Sequence, residues 1–117
     1  MKKILVVDHD FDILDVVELI LSDNGFHVRT NSNGYNLPDI VKEYTPDLIL
    51  LDVRLPGKQG TELCKELKRI YSIPIILFSA EHKISFKECD ADAFVQKPFE
   101  VKHLLDMVNL HLMLSTN

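Results

Sequence analysis

The amino-acid sequence predicts a doubly wound α/β domain, in which helices cover both faces of a parallel β-sheet. Three short apolar runs, rich in isoleucine, valine and leucine, are typical of strands buried on both faces: Ile4–Val7, Leu48–Leu51 and Ile75–Phe78. Helical patterns lie between the runs, and this alternation indicates parallel pairing with right-handed crossovers. The 117 residues suffice for one such core, so we expect a single domain over residues 1–117.

Two weaker runs, Val28–Thr30 and Ala93–Val95, complete a predicted set of five strands. They are shorter or more polar than the central three, so we expect them at the two edges of the sheet. Five helices are predicted to alternate with the five strands, and no linker, repeat or low-complexity segment interrupts them.

The first predicted helix follows the first strand directly. Asp10 or Asp12 can cap its start, and Asn24-Gly25 ends it because this pair tolerates a positive φ. Its apolar residues recur at steps of three and four, which predicts an inward-facing stripe. The stripe contains Ile13, Val16, Val17, Ile20 and Leu21.

Proline and glycine bound the second and third helices. Pro38 is tolerated only in the first turn of a helix, so the second helix begins near it. The third spans about Thr61 to Tyr71, after Gly60, and Pro74 separates it from the next strand. The expected inward-facing residues are Ile40, Val41 and Tyr44 in the second helix and Leu63, Leu67 and Ile70 in the third.

The fourth and last helices differ in the strength of their patterns. The fourth, somewhere in His82–Cys89, is short and barely periodic. The last begins after Pro98 and carries more apolar surface than one face needs. Its end is expected to pack internally or to fray, and the alternative is that it pairs with another protein surface. Its inward-facing residues are predicted as Val101, Leu104, Leu105, Val108 and Leu112, and the extra apolar residues are Met107, Leu110, Met113 and Leu114.

The composition excludes several classes of protein. A hydrophobic content of 46% with 26% charged residues is ordinary for a globular domain, and a net charge of −5 argues against direct nucleic-acid binding. No apolar run approaches a membrane span, and the N-terminus lacks the pattern of a signal peptide. Cys64 and Cys89 form no Cys-x-x-Cys motif, and neither has a histidine at the spacing of a zinc finger. These features predict a cytoplasmic protein with reduced thiols.

Reactive side chains follow four of the five predicted strands. Asp8 comes directly after the first apolar run, Asp52 after the third, Ser79 after the fourth and Lys97 just past the fifth. The carboxyl ends of parallel strands meet at one edge, where open α/β sheets bind ligands. We therefore expect two carboxylates, a hydroxyl and an amine to line one pocket.

These four residue types favour phosphoryl transfer. Clustered carboxylates repel one another unless a cation joins them, and Mg²⁺ accepts oxygen ligands and bridges to phosphate oxygens. A lysine and a hydroxyl can stabilise charge on a transferring phosphoryl group, and an aspartate can itself be the nucleophile. Asp52 is the better nucleophile candidate, because Leu55–Gly57 lets the backbone turn sharply over the site.

The chain resembles the response-regulator receiver domains of bacterial two-component systems over essentially its whole length. The matching stretches are Ile4–Asp8, Pro46–Asp52, Leu55–Gly57, Ser79–Ala80 and Ala93–Phe99. The resemblance implies a flavodoxin-like (βα)5 fold with strand order 2-1-3-4-5. It also implies a Mg²⁺-dependent phosphoryl transfer from a phosphohistidine of a sensor histidine kinase or phosphotransfer protein. The domain would catalyse only its own phosphorylation and dephosphorylation.

The resemblance also assigns roles to individual residues. Asp52 matches the phosphoryl acceptor and Asp8 an acidic residue of the metal pocket. Lys97 matches the lysine that contacts the phosphoryl group, and it precedes a proline whose peptide bond is usually cis. Ser79 matches the switch hydroxyl. Two further matches are Phe94, the aromatic that swings inward on activation, and the backbone carbonyl of Arg54, a metal ligand.

A face made by the fourth helix, the fifth strand and the last helix is expected to bind an output domain or a second copy. The fourth helix is about one turn shorter than usual in the family. Asp90 also stands where the family prefers glycine, which predicts an altered turn. The resemblance also implies that Arg54 and Glu81 flank the path of the attacking water. They either pair and slow dephosphorylation or remain two solvated charges.

His9 is the main departure from the family, which usually has an acidic metal ligand at this position. An imidazole is a poor ligand for hard Mg²⁺ and suits softer ions. Three outcomes are open: weaker Mg²⁺ binding, Asp10 taking over as ligand, or tolerance of Mn²⁺ or Zn²⁺. On ligand type we favour a rim position for His9 with modestly weakened metal binding, ahead of His9 as a ligand beside Asp8, Asp52 and Arg54.

Two other functions remain as alternatives. One is a degenerate receiver, disabled as a phosphoacceptor by His9 and acting as a protein-binding module. The other is a phosphatase, because Val7–Asp12 loosely resembles the Asp-x-Asp motif of haloacid-dehalogenase-type enzymes, with Asp8 as nucleophile and Asp10 as acid/base. That hypothesis leaves the Asp52 motif unexplained.

Overall fold

A computed structural model describes residues 1–80 and 89–115 of the chain. Within them, five parallel strands form one sheet in the order β2-β1-β3-β4-β5. The strands are β1 (Lys3–Val7), β2 (His27–Asn31), β3 (Leu48–Asp52), β4 (Ile75–Ser79) and β5 (Ala93–Gln96). The described helices are α1 (Phe11–Asp23), α2 (Leu37–Tyr44), α3 (Gly60–Ile70) and α4 (Val101–Ser115). The predicted fold class and strand order are confirmed.

Helices cover the sheet on both faces. Side chains of a strand alternate between faces, so Ile4 and Val6 pack on one side with α1 and α4, while Leu5 and Val7 pack on the other with α2 and α3. The central strands β3 and β4 are buried at every residue, whereas the edge strands are only partly buried. The continuous apolar sequences of β3 and β4 reflect burial on both faces of the sheet.

The ends of α1 follow the capping chemistry that the sequence predicts. Asp10 is the N-cap, and its side chain accepts a hydrogen bond from the backbone N–H of Asp12 at 2.9 Å. Asn24 is the C-cap, and Gly25 follows it with a φ of +88°. Pro38 lies in the first turn of α2.

Three predicted core residues are instead exposed: Val16, Ile70 and Val101, with exposed fractions of 50%, 61% and 50%. The buried stripes are narrower than the apolar patterns, and they consist of Leu14, Val17 and Leu21 in α1, Leu63, Cys64 and Leu67 in α3, and Leu104, Val108 and Leu112 in α4. A four-residue step from Leu67 leads to Tyr71, which packs against the core, so Ile70 lies off the stripe.

The predicted shortened fourth helix, in His82–Cys89, falls outside the described residues except for Cys89, and so does Glu81. Cys89 and Cys64 are both free thiols and both buried. The thiol of Cys64 donates to the carbonyl of Cys89 at 3.4 Å, and burial raises its pKa. A buried thiol that resists ionisation is a poor nucleophile, which agrees with a structural role.

Candidate functional site

The four predicted reactive residues lie at the carboxyl ends of their strands. Asp52 and Ser79 are the last residues of β3 and β4, and backbone hydrogen bonds extend the sheet just past β1 and β5. The N–H of Asp8 donates to the carbonyl of Asn31 at 3.1 Å, and that of Lys97 donates to the carbonyl of Ser79 at 2.8 Å. The rigid sheet therefore fixes the backbone of each residue.

Lys97 joins the two carboxylates. Its Nζ lies 2.6 Å from Asp8 Oδ2 and 3.6 Å from Asp52 Oδ1. The ammonium also lies 5.8 Å from the centre of the Phe78 ring, where it gains a cation–π contact. The role of Phe78 was not predicted from the sequence, because its position in a continuous apolar run indicated only a core residue.

Asp8 is fully buried, which sets its ionisation. Its Oδ1 accepts from the backbone N–H of Asp10 at 2.9 Å, and its Oδ2 accepts from Lys97. Burial raises the pKa of Asp8, and the negative charge of Asp52 adds to this effect, while Lys97 and the Asp10 N–H oppose it. Keeping Asp8 ionised in the folded state therefore costs stability.

We expect Asp8→Asn to stabilise the metal-free domain, by a margin that grows with pH. A raised carboxyl pKa contributes stability that is complete below the unfolded value, about 3.9, and that is lost as the pH rises through the folded pKa. Asparagine avoids this loss, so we expect a net gain in the free energy of unfolding at neutral pH, where Asp8 would be ionised. Urea unfolding in EDTA, from about pH 4 to about pH 7, measures the difference.

The control for this prediction is Asp106→Asn, because Asp106 is exposed and its ion pair among the described residues is with Lys102, one turn away on α4. That variant should change stability little at any pH. An Asp8→Asn gain that is constant with pH, or that shrinks as the pH rises, would contradict the assignment.

Asp52 is held by contacts on both carboxylate oxygens. Asp52 is only 3% exposed. Oδ1 accepts from the backbone N–H of Arg54 at 3.2 Å, and Oδ2 lies 2.9 Å from Nδ1 of His9. The direct His9 contact was not predicted, since the sequence placed His9 at the pocket without indicating which acid it touches.

Gly60, the first residue of α3, packs against the backbone of Asp52. Its N–H donates to the carbonyl of Val53 at 2.7 Å, and a Cβ at this position would lie 2.0 Å from the carbonyl oxygen of Asp52. The sequence identified Gly60 only as the residue before a helix. Its contact with the site depends on the path of the β3–α3 loop, which local sequence does not reveal.

Ser79 and Phe94 lie on the same face of the sheet. Ser79 is 2% exposed at the end of β4, and Phe94 is half-buried on β5, where it packs against the core under α2 and α3. Phe94 pairs with Leu77, two residues before Ser79, so the two side chains are diagonal neighbours. The Lys97–Pro98 peptide bond is cis, as the family resemblance implied.

The pocket mouth is open beside His9. A cavity of about 330 Å³ is lined by His9, Arg54, Leu55 and Pro56. A larger groove, of about 470 Å³, lies between the β2–α2 loop and the start of α3, and its lining includes none of the four reactive residues. We therefore locate the site by its chemistry, at the carboxylates, and not by cavity size.

In the part of the chain that the structure describes, three residues offer ligand atoms for a divalent ion. One atom each from Asp8, His9 and Asp52 lies within 4.8 Å of the others. Within the described residues, the two buried carboxylates share the ammonium of Lys97, and a divalent cation would neutralise their remaining negative charge. The carboxylates fit Mg²⁺ well, whereas the imidazole nitrogen of His9 does not.

Comparison with known proteins identifies the family. A model of the response regulator receiver domain matches residues 4–109. The chain belongs to the response regulator receiver domain family. Such domains are signalling domains, not turnover enzymes; they bind Mg²⁺ through acidic residues and interact with histidine kinases or phosphotransfer proteins. The resemblance inferred from the sequence is thereby confirmed.

Solved structures resemble this receiver domain over its length. The BeF3-activated N-terminal receiver domain of RstA from Klebsiella pneumoniae is 29% identical, with a TM-score of 0.91, and the match covers 95% of this chain and 98% of that one. A putative response regulator from Chloroflexus aurantiacus is 31% identical, with a TM-score of 0.88 and coverage of 96% and 98%. NtrX from Brucella abortus is 32% identical with a TM-score of 0.88, and the match covers 97% of this chain but 28% of that longer protein.

The turn at Asp90 was expected to differ from that of the family. Asp90, in the turn before β5, has a φ of +64°, in the left-handed region that glycine favours and aspartate tolerates.

The proposed pairing of Arg54 with Glu81 falls outside the described part of the chain. Among the described residues, no helix combines the length and apolar character needed to cross a membrane.

Proposed function

We propose that residues 1–117 form one phosphoacceptor switch, in which Asp52 accepts a phosphoryl group from a sensor histidine kinase or phosphotransfer protein. The observation that carries this proposal is the position of Asp52. Its carboxylate lies at the carboxyl end of the central strand, almost buried, with the ammonium of Lys97 3.6 Å away. A nucleophile beside a fixed positive charge, at the binding edge of the sheet, suits phosphoryl transfer.

The transfer uses a carboxylate oxygen of Asp52 as the nucleophile. This oxygen attacks phosphorus, an acyl phosphate forms, and the bond from phosphorus to the donor nitrogen breaks with its electron pair remaining on the donor imidazole. Lys97 is close enough to neutralise charge on the phosphoryl oxygens, and the Ser79 hydroxyl can donate to one of them. The backbone N–H of Arg54 orients the attacking carboxylate.

The reaction is expected to depend on Mg²⁺, with Mn²⁺ as a second candidate ion. Asp8, Asp52 and the Arg54 carbonyl would hold the ion, together with His9 if the ion accepts nitrogen. When bound, the ion supplies positive charge that offsets the charge of the phosphoryl oxygens. Buried Asp8 has no direct part in bond making; with Lys97 it sets the charge of the pocket.

Phosphorylation is proposed to act through Ser79 and Phe94. A phosphoryl group on Asp52 would draw the Ser79 hydroxyl toward it, and Phe94 would fill the space that Ser79 leaves. Phe94 lies on β5, so its movement would change the face formed by β5, α4 and the segment between β4 and β5. An output domain or a second copy of the chain would read this face.

One contact favours the degenerate receiver as a second candidate. His9 Nδ1 lies 2.9 Å from Asp52 Oδ2 and shares a hydrogen bond with it. A phosphodonor must therefore displace His9 or react with the other carboxylate oxygen of Asp52. The phosphatase alternative loses support, because it needs the Asp10 carboxylate as acid/base while that group caps α1.

The test is incubation with acetyl phosphate, with and without Mg²⁺ or Mn²⁺, followed by intact-mass measurement. We expect one metal-dependent, base-labile phosphoryl adduct that Asp52→Ala abolishes, whereas Asp39→Ala, which removes an exposed acid on α2, leaves it unchanged. No adduct with either ion would favour the degenerate receiver. Turnover of a phosphate ester that survives Asp52→Ala but is lost in Asp8→Ala would indicate a phosphatase.

A further inference from the structure

We propose that the metal site of this domain prefers a first-row transition-metal ion over Mg²⁺, because His9 supplies an imidazole nitrogen to the coordination shell. The inference rests on the proposed function in one respect, because it concerns the metal ion that the carboxylates of Asp8 and Asp52 would bind. It goes beyond that function by assigning the choice among divalent ions to one residue, His9. We use Mn²⁺ as the probe ion.

The distances from His9 to the two carboxylates are compatible with coordination of a shared ion. Metal bonds of about 2.1 Å at right angles separate neighbouring ligand atoms by about 3.0 Å. Nδ1 of His9 lies 2.9 Å from Asp52 Oδ2 and 3.9 Å from Asp8 Oδ1. The first distance matches neighbouring ligands, and the second requires only a small adjustment. The His9 side chain is 54% exposed, which leaves freedom for that adjustment.

Asp10 is committed elsewhere. Its carboxylate accepts the N–H of Asp12 and so satisfies an otherwise unpaired donor in the first turn of α1. Removing an N-cap of this kind typically costs about 1 kcal/mol of stability, so Asp10 would lose a stabilising contact by turning to the metal. Asp10 is also absent from the group of ligand atoms that cluster in the described structure.

The His9–Asp52 contact distinguishes between ions. An ion that accepts nitrogen can replace this hydrogen bond by binding both groups, so the cost of breaking the contact is offset. Mg²⁺ prefers oxygen and would displace His9 without gaining a ligand from it. The open cavity beside His9 leaves room for water to complete the shell in either case. The ratio of the two affinities should therefore depend on residue 9.

The experiment is calorimetric titration of the whole chain with Mn²⁺ and with Mg²⁺, for the wild type and His9→Asp. We expect the ratio of Mn²⁺ to Mg²⁺ affinity to fall at least about tenfold in His9→Asp, mainly through tighter Mg²⁺ binding. His103→Asp, at an exposed histidine on α4, controls for the change in net charge and should leave the ratio unchanged. An equal ratio in wild type and His9→Asp overturns the inference.

A spectroscopic readout keeps the test independent of phosphorylation. Substoichiometric Mn²⁺ should broaden the ring nitrogen resonances of His9 before those of His103, which locates the ion beside His9. Asp10→Asn should not alter Mn²⁺ affinity by more than about twofold. Absence of preferential broadening at His9, or loss of Mn²⁺ binding in Asp10→Asn, overturns the inference.

The two proposals fail in different ways. If Asp52 is phosphorylated while the metal ratio is the same in wild type and His9→Asp, the inference about His9 is wrong and the phosphoacceptor function stands. If Mn²⁺ binds at His9 but no adduct forms with either ion, the phosphoacceptor function is wrong and the metal preference stands.

Discussion

Gly60→Ala is expected to destabilise the domain by about 3 kcal/mol, although alanine normally favours a helix. At an ordinary helix position the same change would stabilise by up to about 1 kcal/mol. Here the new Cβ would lie 2.0 Å from the carbonyl oxygen of Asp52 and 2.9 Å from Cα of Val53. Both obstacles are backbone, so no side-chain rotation relieves them. Urea unfolding followed by far-ultraviolet circular dichroism measures the change.

Gly25→Ala is the matched control for this variant. Gly25 has a φ of +88°, but a Cβ there would meet no atom of the described residues within 4 Å. Its cost is therefore backbone strain alone, about 1 kcal/mol. A Gly60→Ala protein that is as stable as wild type, or more stable, would contradict the close approach of α3 to the end of β3. We also expect slower phosphorylation in Gly60→Ala, because relief of the clash must move the backbone of Asp52.

Lys97→Met is expected to slow formation of the phosphoryl adduct at least about hundredfold and to destabilise the domain by about 3 kcal/mol at neutral pH. Methionine keeps much of the apolar side chain over Phe78 but removes the charge that faces the reacting phosphoryl group. It also removes the ammonium that faces the carboxylates of Asp8 and Asp52, which are 0% and 3% exposed. Adduct formation is timed by intact mass, and stability is measured by urea unfolding in EDTA.

The pH dependence of Lys97→Met has a definite sign. Lys97 lowers the pKa of Asp8, so its loss raises that pKa further above the unfolded value. The stability deficit should be smallest at acidic pH, where Asp8 is protonated, and should grow as the pH rises through the folded pKa. Lys102→Met, which removes an 85% exposed lysine, should cost under about 1 kcal/mol. A deficit independent of pH, or adduct formation at the wild-type rate, would contradict this role.

Local sequence located the described strands and helices, but it was less accurate about which helix residues are buried. The continuous apolar runs located the central strands because both faces of a parallel sheet are covered. The inward stripes of the helices were less accurate, as at Ile70 and Val16, because an apolar residue beside a stripe satisfies the same pattern without being buried. Burial is decided by which face meets the sheet.

For the candidate site, the sequence predicted which residues meet but not which of them contact one another. The order of residues after the strands brought Asp8, Asp52, Ser79 and Lys97 to one edge, since parallel strands share their carboxyl ends. The contact between His9 and Asp52 joins residues 43 positions apart in the chain. No local pattern reports such a contact, because it depends on the spacing of β1 and β3 in the sheet.

The sequence by itself determined the fold class, the strand order implied by its family motifs, and the types of side chain that meet at the sheet edge. Tertiary structure alone decided how those side chains pair. It directs Lys97 most closely to Asp8, joins His9 to Asp52, uses Asp10 as a helix cap, and packs Gly60 against the acceptor backbone. The physical reason is that periodicity and strand order are local properties, whereas ion pairs and steric contacts arise only when distant segments are brought within a few ångströms.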